Sequence, residues 1–284
     1  MNPPIAVVRH RYERSLFALM CLTTLAAFVL GLAVAMQDSR TLAHLGLSAI
    51  DQSQLINYAV LLLLLPLLPL ALWVQRWSME DSIRTRGLLV DEVLFPELHE
   101  RLRHFCALLG LQEPPRLLVT AAEIPKPLFR GLAPNPRSIV MSADMAAFSG
   151  PDAAVRDFWL ARELAARRLG YDGVIRSAVN VVPRLLGAPG KALARAEVYS
   201  TDALAAQMLP EAGQDFLLYQ GFGKAMYRQI DPKACTAAWA RRSRWYTDQL
   251  LSDTPALLER FFAIDRVVQA QAAGEAIVVD GRLL

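Results

Sequence analysis

Few side chains in this chain could carry chemistry. Residues Phe158 to Gly170 read Phe-Trp-Leu-Ala-Arg-Glu-Leu-Ala-Ala-Arg-Arg-Leu-Gly, so a single carboxylate, Glu163, stands beside Arg162, Arg167 and Arg168. A glutamate there acts as a general base only where a metal or an imidazole gives it an activated water; otherwise it is a good helix former that balances charge. Further on, Ala194-Arg-Ala-Glu-Val-Tyr-Ser-Thr-Asp-Ala203 carries Glu197 and Asp202. The four histidines are at positions 10, 44, 99 and 104, so zinc chemistry built on the later helices would have to work without imidazole. His99 and His104 are five apart, about 140° around a helix, and with Glu100 they read as a solvated helix surface. Cys21, Cys106 and Cys235 are too scattered for a disulfide scaffold or a metal knuckle. Ser138 and Ser149 have no downstream histidine as base, and a Ser–Lys pairing would draw on only four lysines. No Gly-rich loop recommends a nucleotide.

The elements that must position these groups can be read from the pattern. With 54% hydrophobic and 20% charged residues over 284 positions, the chain is too apolar to be disordered. Residues 96–110 read as a helix, with Pro96 in its first turn, leucines at helical spacing and Gly110 as its stop. Arg116–Thr120 and Ser138–Ser142 read as strands, joined through a Pro-rich turn at 124–131. Gly150-Pro151-Asp152 opens a helix that runs to Arg168 and stops at Gly170. A loop containing Pro183, Pro189 and Gly190 leads to a helix over 193–209, and further helices are expected over 211–230, 233–251 and 255–272. The tail 276–284 suggests a small hairpin at Asp280-Gly281. The fold class is therefore α+β and mostly α, with a small sheet.

Two uncharged runs precede that domain. Leu16–Met36 and Leu55–Val74 each suffice, at about 1.5 Å per residue, to cross a hydrocarbon core of roughly 30 Å. Trp73 and Trp77 stand where the second would meet headgroups. A cleaved leader ending at Ala33-Val34-Ala35 competes with the first span, but the apolar run exceeds the usual leader core. Arg9, Arg11 and Arg14 precede the first run and Arg76, Arg84 and Arg86 come after the second, whereas the connection 37–54 holds only Arg40 beside Asp38 and Asp51. The expectation is a hairpin of two transmembrane helices within residues 1–75, with both termini and the 76–284 domain in the cytoplasm. Residues 173–188 carry Arg176 and Arg184, which argue against a further span and leave an interfacial segment open.

In the order of its elements the chain resembles the HtpX-like and CAAX-prenyl-protease group of membrane zinc metallopeptidases. The likeness covers most of the chain and rests on order rather than on one motif. It implies a zincin-like domain. The family's first metal helix carries H-E-x-x-H, two histidines one turn apart for zinc and a glutamate for the water. By that resemblance Glu163 stands at the general-base position, while Arg162 and Ala166 occupy the ligand positions. The third ligand position falls on Val198, with Glu197 one residue early, and Arg195 and Asp202 anchor the match. Lys126-Pro127-Leu128 replaces the family's Asn-Ala-Phe turn and Thr254-Pro255 its His-Pro, with Arg260 matching the family's arginine. Alanine and valine cannot coordinate, and a guanidinium brings positive charge instead of a lone pair.

These readings lead to three expectations. Arg162 reaches Asp202, so that an ion pair joins the two helices where the family has metal, while Ala166 and Val198 close the gap. The chain is a membrane-anchored, catalytically silent homologue without a cofactor, which binds or scaffolds a membrane protein or an extended peptide along an edge strand at Ile139, Val140, Met141 and Ser142. An active zinc endopeptidase with divergent ligands is the competing reading. The bacterial inner membrane and protein quality control are the expected setting, and an oligomer stays open. Arg241-Arg-Ser-Arg-Trp-Tyr246 suits anionic headgroups better than nucleic acid, and no nucleic-acid partner is expected.

Overall fold

A computed structural model describes residues 5–37, 48–121, 138–185, 188–232, 234, 252 and 254–280. The expected 124–131 turn, the helix over 233–251 with its basic-aromatic stretch, and the tip of the expected tail hairpin lie outside them.

Helix α1 (Glu13–Ala35) and helix α2 (Ala49–Leu63) pack side by side. Gly31 makes the close approach possible: a Cβ there would lie 2.6 Å from the Leu62 Cβ and 3.2 Å from the Ala59 carbonyl. Ser48 begins α2 with a reciprocal cap, accepting from the Asp51 N–H while its own N–H donates to the Asp51 carboxylate. Pro66 interrupts the second long helix in a 3₁₀ turn at Leu65–Leu67, and helix α3 (Leu68–Arg84) resumes with Pro69 in its first turn. Two stretches, Glu13–Ala35 and Asp51–Ser78, are long and apolar enough to cross a membrane. They expose Leu22, Leu25, Val29, Leu61, Leu70, Trp73 and Trp77.

The hairpin passes into the rest of the chain without a linker. Helix α3 continues past position 76 to Arg84 and leads directly into strand β1 (Leu88–Leu89). Strand β2 (Arg116–Thr120) pairs antiparallel with β1 and parallel with strand β3 (Ser138–Ser142), with Leu118 opposite Val140. Among the described residues the order is β1-β2-β3, with β3 at one end. Helix α4 (Pro96–Leu109) buries Leu98, Leu102, Phe105, Cys106 and Leu109 at helical spacing and stops at Gly110, whose left-handed φ of 65° needs no Cβ.

The short helix α5 (Ala143–Ala146) leads to helix α6 (Ala153–Arg168), which packs against helix α8 (Ala188–Met208) and helix α9 (Ala212–Phe222). Helix α10 (Leu257–Ala273) covers α8 and α9. Phe158, Leu164, Tyr199, Leu204, Phe216, Phe261 and Ile264 meet in one apolar core with the sheet and α4.

Three expectations change. Residues expected as a loop form helix α7 (Val174–Leu185), and α8 starts at Ala188, with Pro189 tolerated in its first turn. The helix expected over 211–230 ends at Phe222, because Gly223 turns with φ 75° before a 3₁₀ turn at Tyr227–Gln229. The helix expected from Gly150 begins with a 3₁₀ turn at Gly150–Asp152. Val279, in the tail, pairs with His10 of the N-terminal arm.

Candidate functional site

Helices α6 and α8 cross with Arg162 facing Asp202. The Arg162 Nε lies 2.6 Å from Asp202 Oδ1. Arg260 from α10 grips the same carboxylate with two bonds, Nε to Oδ2 at 2.6 Å and an amino group to Oδ1 at 3.1 Å. Its other amino group donates to Gln220 Oε1 at 2.6 Å. One carboxylate thus joins α6, α8 and α10, and Gln220 adds α9. The Arg162 guanidinium also lies 5.9 Å from the Phe216 ring centroid.

Asp202 is only 1% exposed. Burial alone would raise its carboxyl, but the Arg260 and Arg162 guanidiniums outweigh burial and hold it below the usual carboxylate range. Both of its oxygens are engaged, which leaves little lone-pair capacity toward a cation. The structure therefore brings Arg162 and Asp202 together and adds Arg260, whose part the sequence did not disclose because its partner lies on a distant helix.

Glu163 is half-buried, and no described residue gives it a hydrogen bond. Burial pushes its carboxyl up against the opposing pull of Arg162 and Arg167. Neither arginine pairs with it: Arg162 serves Asp202, and Arg167 donates to the Ser138 carbonyl with Asp172 nearby at 3.6 Å. Ala166 packs at the margin of the core, and Val198 is half-buried. Glu197 points elsewhere, accepting from Arg176 Nε at 2.9 Å. Neighbouring helix positions lie about 100° apart, so this is the outcome a one-residue offset dictates.

A zinc ion needs three or four lone-pair donors. Here alanine, valine and a guanidinium stand at the expected ligand positions, and the adjacent aspartate is taken. The residues present do not fit the ion. Among the described residues no cluster of three or more His, Cys, Asp or Glu is arranged to hold a metal. His99 lines an open groove on α4 with Glu92, Glu100, Arg103 and His104, and its Nε2 lies 3.5 Å from Glu92. Burial pushes the Cys106 thiol up to about 11, so it is no ready nucleophile.

The expected edge strand forms β3, paired with β2. Ile139 and Met141 face the core, Val140 is half-buried and Ser142 is exposed, where its hydroxyl caps α5.

A second polar centre, missed from sequence, gathers around Glu13 at the start of α1. The Glu13 carboxylate is 1% exposed and accepts from Arg9 (2.7 Å), Arg176 (3.1 Å), the Tyr171 hydroxyl (2.5 Å) and the Ser200 hydroxyl (3.0 Å). Arg176 is held between the Phe17 and Tyr171 rings at 4.8 and 4.5 Å.

Compared with models of known protein families, with curated proteins and with solved structures, the chain matches none.

Proposed function

We propose that this chain is a membrane-anchored, catalytically silent relative of the HtpX-like zinc metallopeptidases, which works as a scaffold for another membrane protein. One observation carries the reading: at the α6–α8 crossing, where that resemblance puts zinc, Asp202 is clamped by Arg162 and Arg260. A peptidase scaffold closed in this way retains helices and sheet but no means of activating water.

Two spans, Glu13–Ala35 and Asp51–Ser78, anchor it in the bacterial cytoplasmic membrane, with both termini and the domain inside. The arginine distribution supports that orientation. So does the N-terminal arm, which is bonded to the domain through Arg9 and the Leu169 carbonyl at 2.7 Å and so starts on the domain's side. The partner is an extended segment of a membrane protein that adds along β3, the last strand in the sheet order. Protein quality control is the process such a scaffold would serve.

The test pairs metal analysis of detergent-purified protein with cleavage of an unfolded substrate by wild type and Glu163→Gln, and with photo-crosslinking from Val140 in native membranes. Sub-stoichiometric zinc, no chelator-sensitive cleavage and a reproducible membrane-protein adduct are expected. Near-stoichiometric zinc with cleavage abolished by Glu163→Gln would establish the divergent peptidase instead. Adducts to lipid and to the chain itself alone would remove the scaffold.

A further inference from the structure

The sheet lies beside the end of α3 that emerges from the second long apolar stretch, and two contacts fix its direction. The Ser138 hydroxyl, at the start of β3, donates to Glu80 Oε1 at 3.4 Å, and the Thr120 hydroxyl, at the end of β2, donates to the Arg86 carbonyl at 3.3 Å. Ser138 pairs with Arg116, so β2 begins level with Glu80 and ends level with Arg86. Strands β2 and β3 therefore climb away from the apolar stretch as α3 does. Strand β1 is antiparallel to β2 and descends: Leu88 faces Val119, Leu89 faces Leu118, and the Val90 N–H donates to the Leu117 carbonyl. Asp91 comes next, at the level of Arg116, and residues 92–94 turn beyond it. That brings them toward Trp77, one helical turn before Glu80 on α3.

The turn is closed by hydrogen bonds. Asp91 Oδ1 accepts from the Val93 N–H at 2.9 Å and the Leu94 N–H at 2.7 Å, and the Asp91 carbonyl accepts from the Phe95 N–H at 3.1 Å. Pro96 then opens α4. Val93 and Leu94 are thereby held outward, 87% and 55% exposed, and Val93 is the most exposed large apolar side chain among the described residues. Single exposed apolar residues are ordinary on a protein surface. An apolar pair fixed at the tip of a closed turn, at the height of an exposed tryptophan, is not. The charges of the turn itself are engaged: the Asp91 carboxylate by those two N–H groups, and Glu92 by Arg103 at 3.4 Å and His99 at 3.5 Å. Glu113 and Arg116, exposed around the start of β2, are charges that a headgroup layer solvates.

We propose that the turn at residues 92–94 dips into the lipid headgroup layer on the domain's side of the membrane, with Val93 and Leu94 against the upper acyl-chain carbons. This rests on the membrane anchoring proposed above. The occupant is lipid because the tip stands at the height at which α3 carries Trp77 through that layer, so the spanning hairpin and the tip meet one plane. The turn gives the domain a footing on the bilayer apart from the hairpin.

The experiment uses full-length protein in phosphatidylethanolamine–phosphatidylglycerol vesicles, with Cys21 and Cys235 replaced by serine and the buried Cys106 by alanine. Bimane is attached at Val93→Cys and, as controls, at Leu25→Cys, Leu88→Cys and Glu275→Cys. Quenching is read with doxyl lipids labelled high or deep on the chain and with aqueous iodide. Expected is shallow-doxyl quenching of the 93 probe at least threefold above that of the 88 probe, which sits at the far end of β1. Iodide should quench the 93 probe at least threefold less than the 275 probe, and the 25 probe should report deep lipid. Doxyl quenching at 93 no greater than at 88, whether iodide reaches the probe or a protein surface shields it, would overturn the lipid contact alone if the 25 probe is still in lipid. Loss of doxyl quenching at 25 as well would overturn the anchoring on which it rests.

Discussion

Asp202 and Glu163 lie on adjoining helices and answer pH in opposite senses. The Asp202 carboxyl is depressed, so its contribution to stability is present above its unfolded value of about 3.9 and is lost as pH falls through the folded value. The Glu163 carboxyl is raised, so its contribution is complete below the unfolded value of about 4.3 and is lost as pH rises through the folded value. Thermal unfolding of detergent-purified protein against pH should therefore show Asp202→Asn flattening the acid side and Glu163→Gln flattening the opposite side. At neutral pH Glu163→Gln should equal or exceed wild type in Tm, because it removes a desolvated charge with no bonded partner. Asp202→Asn should lose about 3–5 kcal/mol, since it leaves buried guanidiniums facing one another. Arg162→Met should cost less, on the order of 1–2 kcal/mol, because Arg162 is 18% exposed and Asp202 keeps its two hydrogen bonds from Arg260. A Glu163→Gln variant less stable than wild type throughout would show a bonded role that the geometry does not contain.

Pairs of helices are held by a few specific allowances, and these can be tested as pairs. The Thr24 hydroxyl of α1 donates to the Val179 carbonyl of α7 at 2.9 Å, where the helix has no N–H to offer because residue 183 is a proline. If Thr24 replaces that donor, Thr24→Val should cost about 1 kcal/mol alone and almost nothing in a Pro183→Ala background, where the helix supplies its own N–H to Val179. Thr24→Ser should behave as wild type. Equal costs in both backgrounds, measured as Tm shifts in detergent, would refute the pairing. Gly31 offers a parallel case: Gly31→Leu must push α1 from α2, where Leu62 and Ala59 already lie within contact of a bare Cβ. This is the scale at which sequence was most readable. The long uncharged runs, the Pro96–Gly110 helix and the two strands each declare themselves through local periodicity and stops, and β2 and β3 fall on the residues their β-branched pattern marks. Helix α7 did not, because Asn180, Pro183 and Arg184 mimic a loop when neighbouring helices are unknown. Of the Asp202 cluster, Arg162 was accessible through the positions that the resemblance aligns on the two helices, whereas the Arg260 contact spans 58 positions and exists only once α10 has packed. Glu13 was hidden for a similar reason, standing among Arg9, Arg11 and Arg14 as one more charge flanking an apolar run.

The molecule as a whole depends on how its membrane-length helices meet the domain, and Glu13 is where they do. The N-terminal arm is stitched on at Ile5 to the Leu108 carbonyl, at Arg11 to the Val279 carbonyl and at the His10 N–H to Ser200. Glu13 then gathers Arg9 of that arm, Tyr171 beyond α6, Arg176 of α7 and Ser200 of α8 onto one carboxylate. Burial, reinforced by Glu13, pushes the Tyr171 phenol well above its usual range, so it remains a donor at any working pH. Two acids, Glu13 and Glu197, face two arginines, Arg9 and Arg176, so the junction is near neutral only while complete. Glu13→Gln should consequently release several elements together: the arm, the foot of α7 and the Glu197–Ser200 turn of α8. Amide exchange on the protein in detergent should rise in all three segments, while α4 and α10 stay protected. Arg176→Met should reproduce the effect in α7 and α8 and spare the arm, which keeps Arg9 on Glu13. Faster exchange confined to the arm in Glu13→Gln would mean that the carboxylate anchors only its nearest neighbours and that the hairpin and domain are coupled elsewhere.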